Sequence, residues 1–310
     1  METFDDDLEI LDLTQNVFPT RIYDRNNHFD QMDNLTFFRS FRLTKPTVLH
    51  VLEQIEEQLE YPDDRNNSIS PVHQLLICLR CYATGGHLSS CANFMGIAVS
   101  SASRTVKKVT NVIAGLRPHY IEMPMLEDAV TTSNKFFSKG AGMPKWDSYS
   151  HSIPGGEDAE LFRNRKWYFS INSQVVGDAE LRIRDIVANL PGSTHNQTIF
   201  VNSRIRARFD ANEFPNFTLL EWILGKNYLL TPVADPQTQP QQLYNEAHIR
   251  TRNSIERLIG VWKRRFPVLA CDCRLKLETT LAVIPATAVL HNIAIQMNEG
   301  EPQQRAIWAI

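Results

Sequence analysis

The amino-acid sequence predicts an α/β protein in which an all-α region carrying a helix-turn-helix precedes a mixed-sheet layer domain. Three observations point there. Through residue 122 apolar residues recur at helical spacing. From Lys166 to Leu190 the period changes to two, the alternation of half-buried strands. Helical spacing then returns in two long closing segments, and strands followed by helices suit a mixed layer. On this reading residues 1–30 are an acidic, flexible arm, 31–122 the helical region, 123–297 the sheet-containing domain and 298–310 a tail.

Each element has its own signal. In LTKPTVLHVLEQIEEQLE, Thr44 is an N-cap, Pro46 sits in the first turn, and Val48, Leu49, Leu52, Ile55 and Leu59 form one stripe. SPVHQLLICLRCYATGG reads as a second helix, with Ser70 as N-cap, Pro71 at the first position and Gly85-Gly86 as the stop. A short helix over Ser89–Phe94, a turn through Gly96 and a helix over Ser100–Leu116 make the helix-turn-helix. Its core positions are Ala92, Met95, Ile97, Ala102, Val106 and Val109, which turns Ser100, Ser101, Ser103, Arg104, Lys107 and Lys108 outward. That face suits phosphate contact, or is the solvated side of a helical bundle. KWYFSINSQVVG and LRIRDIVANL, separated by Asp178-Ala179-Glu180, predict a hairpin. NSRIRARFDANEF reads as helix, and WILGKNYLLTP as a strand broken by Gly225, Lys226 and Asn227. LETTLAVIPATAVLHNIAIQM carries Glu278, Pro285, His291 and Asn292, too polar for a bilayer span, and reads as a buried helix.

The net charge of −3 hides an asymmetry: residues 1–60 hold 13 acids and 5 bases, leaving 22 acids and 27 bases beyond them. A basic excess on the folded part suits nucleic acid or is ordinary solvated charge. Five cysteines fit a reducing compartment, and the amino terminus has no secretory pattern, so the protein is expected inside the cell. Cys78 and Cys81 have C-x-x-C spacing but no matching ligand pair for zinc. Helical periodicity accounts for them as small core residues.

The blocks GGEDAELFRNRK, FSIN, DAELR, DIVANLPGSTH, FVNSRIRARF, YLLTP, YNEAHIRTRNSIERLIGVWKRRFP and RLKLETTLAVIPATAVLHNIAI occur in this order. They resemble the animal Harbinger transposase-derived nuclease family, and SPVHQLLICLRCYATGG with GIAVSSASRTV resembles its helix-turn-helix portion. The resemblance spans about residues 34–297. It implies an RNase H-like domain whose Asp-Asp-Glu triad binds two divalent ions, Mg²⁺ or Mn²⁺. Such a pair activates water and stabilises the leaving oxygen in phosphodiester cleavage. It also implies a nuclear (also cytoplasmic) protein that works with a Myb-like DNA-binding partner.

Carried onto this sequence, the triad is incomplete. The turn Gly142-Met143-Pro144 and the exit Pro154-Gly155-Gly156 match the surroundings of the first acid, but the segment between them is shorter than the family's. Asp147 is the nearest remnant, either a catalytic metal ligand or a solvated loop acid. The second acid has two candidate positions, occupied here by Asn196 in PGSTHN and Lys226 in LGKNY. A lysine 4 Å from a unit positive charge costs about 4 kcal/mol at an effective dielectric near 20, and about twice that for a divalent ion. Glu256 in NSIERLIGVWKRRF matches the third, metal-binding acid without a gap. It lies at the edge of the stripe Ile255, Leu258, Ile259, Trp262 and Phe266, so it is either a metal ligand or the ion-pair partner of Arg252 and Lys263. His195 reads as a turn-capping or packed residue, and His291-Asn292 as packing and hydrogen-bonding groups.

The expected DNA-contacting cations are Arg104, Lys107 and Lys108; Arg163, Arg165 and Lys166; Arg204, Arg206 and Arg208; and Arg250, Arg252, Lys263, Arg264 and Arg265. The expectation is a nuclease by descent, impaired or inactive in its hydrolytic centre. Its alternatives are a non-enzymatic nuclear DNA- or protein-binding protein, and the product of a decaying transposase gene.

Overall fold

The computed structural model describes residues 27–61, 68–123, 143–150, 159–164, 166–214, 218–220 and 227–302, with residues 143–148, 150, 159, 196 and 220 described by their backbone alone. The first helix, α1 (His28–Gln31), falls inside the predicted arm. His28 is buried there, its ring stacked on Phe94 at 4.6 Å and its Nε2 3.0 Å from the Phe94 carbonyl. The rest of that arm, residues 1–26, lies outside the described residues. Helix α2 (Asn34–Phe41) opens on Asp33, whose carboxylate accepts from the backbone N–H groups of Leu35 and Thr36.

Helix α3 (Lys45–Leu59) has the predicted Thr44 cap and proline start. Its buried stripe is Val48, Val51, Leu52, Ile55 and Leu59; Leu49, expected in the stripe, is exposed, and Val51 takes its place. One residue in a helix turns the side chain by about 100°, and the stripe is centred slightly off the predicted line. Helix α4 (Pro71–Ala83) follows Ser70, whose hydroxyl meets His73 Nδ1 at 2.7 Å instead of capping the backbone. Cys78 and Cys81 are buried in α4, and burial pushes the Cys78 thiol up to about 11 and raises Cys81 well above the ordinary thiol value. They are core residues, as the periodicity predicts.

Helices α5 (Leu88–Met95) and α6 (Val99–Gly115) are joined through Gly96, which adopts the left-handed conformation. All six predicted core positions between Ala92 and Val109 are buried. A short turn of helix, α7 (Arg117–Tyr120), ends this region.

Strands β1 (Met143–Ser150), β2 (Ser170–Gly177) and β3 (Ile183–Pro191) form an antiparallel sheet in that order. The predicted hairpin is β2–β3, and its turn is organised by Asp178. That carboxylate accepts from the N–H groups of Glu180 and Arg182, both at 2.9 Å, and from Arg184 Nε at 2.7 Å. The alternating run was expected to enter the sheet at Lys166, yet β2 begins only at Ser170. Trp167 and Tyr168 stand in a turn before it, and Trp167 has φ +66°.

Helices α8 (Asn196–Val201) and α9 (Arg204–Asp210) follow the sheet, then a two-residue parallel pair, β4 (Leu219–Leu220) and β5 (Leu229–Leu230), with β4 alongside β1. The middle of the predicted broken strand lies outside the described residues. Two helices close the chain: α10 (Gln239–Arg265) and α11 (Leu277–Gln296).

Helix α10 crosses the sheet on its predicted stripe. Ile255 and Leu258 reach so close to Gly177 that a methyl group there would collide with both, and Trp262 meets Tyr149 edge-on at 5.9 Å. Helix α11 packs between α6 and β3. It is long and apolar enough to cross a bilayer, but 72% of its apolar window is buried inside the protein. One hydrophobic cluster runs from Phe37 in α2 through the sheet to Ala294 in α11, so helical region and sheet share a core. A second, smaller cluster holds Val176, Phe200, Ile205 and Phe209 on the sheet's other side.

The junction between the two halves is closed by a buried ion pair. Arg265 ends α10 with its side chain only 1% exposed, and its Nη1 lies 2.7 Å from Oε2 of Glu299, itself 3% exposed. Arg265 also donates to the carbonyls of Gly300 and Arg42. The other oxygen of Glu299 accepts from the backbone N–H and hydroxyl of Thr44, both at 2.8 Å, so a single carboxylate joins α10 to the N-terminus of α3.

Candidate functional site

The candidate site is built where α10 passes over β1 and β2. Ile255 is drawn onto the sheet, and the next residue, Glu256, is rotated by about 100° away from it. Its side chain is 48% exposed and its Oε1 lies 3.7 Å from Nε of Arg252, four residues earlier. A pair of this kind on an exposed helix face contributes a few tenths of a kcal/mol. Two turns beyond Glu256 stands Lys263. Its ammonium lies 5.0 Å from the centre of the Tyr149 ring on β1.

Asp147 is in β1 opposite Ser173 of β2, a placement of its backbone. Asn196 is the first residue of α8, directly after the PGSTH turn. Lys226 lies outside the described residues. His195 is the N-cap of α8, its Nδ1 accepting from the Gln197 N–H at 3.2 Å, which is the turn-capping role. Among the described residues no group of three or more His, Cys, Asp or Glu side chains converges on a metal-sized point. The residues that the resemblance puts at the acid positions are an amide, Asn196, a lysine, Lys226, and Glu256, whose carboxylate faces the Arg252 guanidinium, and such a donor set does not fit a two-metal centre. No hydrolytic step through a metal follows from these residues.

The PGSTH turn is held tightly all the same. A methyl group on Gly192 would lie 2.6 Å from the Ser170 carbonyl oxygen and 2.7 Å from that of Phe162. Both obstacles are backbone and neither swings away. Gly192→Ala is therefore expected to cost about 1–3 kcal/mol, read from urea unfolding. A variant within about 0.5 kcal/mol of the parent, the scatter of ordinary surface changes, would refute this close approach. Asn172 completes the turn by donating to the carbonyls of Gly192 and Thr194.

The expected DNA-contacting cations divide into several groups. Arg265 does not belong to any contact surface: it is buried and held by Glu299, because the helix places it one residue from Phe266 on the core side. Lys108 is also spent inside the fold, donating to the Leu59 carbonyl at the end of α3 and lying 4.4 Å from the Tyr61 ring centre. Lys107 meets Glu278 at 2.7 Å, Arg163 meets Glu160, and Arg208 meets Glu213. Arg206 meets Asp210, Arg250 meets Glu246, and Arg264 meets Glu301. Arg104 and Lys166 are exposed with no carboxylate partner among the described residues, and Arg204 is exposed while its charge acts on Asp185. Arg165 lies outside them.

Two residues with evident roles carry no signal in the sequence. Asp185 on β3 is largely buried, which raises its carboxyl above the usual range, while Arg117, Arg208 and Arg204 pull it down. Glu299 lies in the stretch expected to be a tail. Asp185 opens the DIVANLPGSTH block without being marked there as a site residue, and the role of each is recognisable only from the arginines that the fold brings to it.

Comparison with known proteins places this arrangement in a class. Residues 150–292 match the family model described as DDE superfamily endonuclease, a match that begins just past Asp147. Two curated relatives bear the name "Putative nuclease HARBI1". The Mus musculus protein is 29% identical over 263 residues, covering 80% of this chain and 74% of the relative; the Homo sapiens protein is 27% identical over 264 residues with the same coverage. "Protein ALP1-like" of Arabidopsis thaliana is 22% identical over 315 residues, 91% of this chain and 75% of that protein. No solved structure matches. The chain carries a DDE-superfamily endonuclease-type domain. Over four fifths of its length the chain is similar to the proteins named putative nuclease HARBI1.

Proposed function

We propose that this chain is a transposase-derived DNA-binding protein in which the ancestral hydrolytic centre no longer works. The observation that carries the reading is Glu256. It stands at the family's position for the third acid, yet it is half-exposed and paired with Arg252, while Asn196 and Lys226 occupy the alternative positions of its missing neighbour. In this proposal α5 and α6 are a helix-turn-helix within the helical region 31–122, presenting Arg104. The antiparallel sheet, with β4 beside β1 and α10 and α11 packed on it, supports an RNase H-like origin for 123–297. DNA binding carries with it a nuclear location, and a Myb-like DNA-binding protein is the partner this reading expects.

Supercoiled plasmid incubated with Mg²⁺ or Mn²⁺ should stay uncut, for the parent and for Glu256→Ala alike. Glu256→Ala should also cost no more than a few tenths of a kcal/mol in stability, the worth of an exposed i,i+4 pair. Duplex affinity should fall with salt, the logarithm of the binding constant losing about 0.9 per phosphate contacted for each decade of salt. Metal-dependent cutting that Glu256→Ala abolishes would restore the enzyme. A flat salt response would remove the DNA-binding role.

A further inference from the structure

The turn before β2 presents an indole to solvent in a way that the sequence alternation does not predict. Trp167 is 80% exposed, and its neighbours Tyr168 and Leu161 are exposed as well. Its φ of +66° is a conformation that bulky side chains rarely adopt, so local bonds must hold it. They do: the Asn164 N–H donates to the Tyr168 carbonyl, the Trp167 N–H donates to the Asn164 carbonyl, and Asn164 Oδ1 accepts from the Lys166 N–H at 2.8 Å. Asn164 Nδ2 is anchored on the Ser170 hydroxyl at 2.9 Å, and the Arg163 guanidinium lies 4.6 Å from the centre of the Phe169 ring. A rigid support thus carries an exposed aromatic face.

Charge selects the occupant. Lys166, next to the indole, is exposed with no carboxylate partner among the described residues, and the run Arg163-Asn164-Arg165-Lys166 puts three cations in sequence directly before Trp167, of which Arg163 is paired with Glu160. The turn also abuts the PGSTH loop, because the Ser193 N–H donates to the Leu161 carbonyl. It therefore lies at the sheet end that carries Asn196, an ancestral acid position. A cationic run beside an exposed indole is a pairing that can follow a sugar-phosphate backbone while stacking a base. The faces of paired bases are already covered by their neighbours in a duplex, so an indole of this kind takes an unpaired or extruded base.

We infer that Trp167 is a stacking platform for an unpaired base of single-stranded DNA, seated on the basic turn 163–168. The inference rests on the DNA-binding reading, and its test separates the two. Fluorescence anisotropy with a labelled oligothymidylate and a labelled duplex of equal length is measured for the full chain, Trp167→Phe and Trp167→Ala. Single-strand affinity should fall about tenfold or more in Trp167→Ala and be largely kept in Trp167→Phe. Duplex affinity should change by less than about threefold, and the thermal unfolding of the three proteins should coincide. Unchanged single-strand affinity in Trp167→Ala, with the duplex still bound, overturns the platform and leaves DNA binding standing. Absence of binding to either form overturns both. If Trp167→Ala leaves single-strand affinity intact but alters sedimentation of the chain, the turn is a protein contact and the platform is likewise overturned.

Discussion

Replacing Glu299 with alanine should destabilise the fold by about 3–5 kcal/mol, the cost of leaving one member of a buried ion pair without the other. The expectation comes from where the partner sits. Arg265 is 1% exposed and cannot swing to water, and burial already pulls its guanidinium down, opposed by the Glu299 charge. The loss of the carboxylate also removes the acceptor for the Thr44 N–H and hydroxyl, which start α3. Glu299→Gln separates the two effects, since it keeps an oxygen for Thr44 and discards the charge. Urea unfolding should rank the proteins parent, Glu299→Gln, Glu299→Ala. In the double variant Arg265→Met/Glu299→Gln the losses should be smaller than their sum, because no uncompensated cation remains. A Glu299→Ala protein as stable as the parent would show that the pair closes nothing.

The second large effect is a loss of stability in mild acid, and it traces to His291. Burial in α11 pushes its imidazole down to about 3, with the Leu181 carbonyl opposing and the Arg265 charge adding to the depression. Its Nε2–H donates to Leu181 at 2.8 Å, and Nδ1 is buried without a hydrogen-bond partner. In the unfolded chain the same ring takes a proton near its ordinary value of 6.5. The unfolded state therefore binds more protons between these limits. Stability is full above about pH 6.5 and is lost as pH falls toward 3, with a slope approaching 1.4 kcal/mol per pH unit from this one ring. His248 shifts in the same direction, again mainly through burial. His291→Gln keeps a donor for Leu181 but cannot take the proton, so its unfolding midpoint should lose less between pH 7 and 5 than the parent's. Parallel profiles for the two proteins would exclude His291 as the source.

Much of the fold is legible in the sequence because it rests on local periodicity. The caps of α3 and α4, the turn at Gly96, the core face of α6 and the stripe of α10 all follow from side-chain spacing and from residues with restricted backbones. The errors share a cause. Leu49 and Val51 are both apolar and flank the stripe on opposite sides, so only the position of the opposing helices decides which is buried. Trp167 continues an alternating pattern that predicts a strand. Whether a strand begins there depends on hydrogen bonds to a neighbour, and here Asn164 and Tyr168 close a turn instead.

The site divides in the same way. That the residues in PGSTHN and LGKNY which the resemblance aligns with an acid are Asn196 and Lys226 is a matter of residue type, which the sequence carries by itself. So is the position of Glu256 at the edge of its stripe. Whether that edge faces a metal or solvent depends on how α10 is rotated over β2, and that rotation is set by Ile255 and Leu258 pressing on Gly177. The cations show the difference most clearly. Arg264 and Arg265 are adjacent and chemically identical, yet one meets Glu301 near the surface and the other is enclosed with Glu299. Sequence by itself determined most of the elements and the blocks that carry the resemblance, because these depend on spacing and residue identity. Only the tertiary structure decided which charges remain available to a partner, because pairing joins residues far apart in the chain through a core that local patterns do not encode.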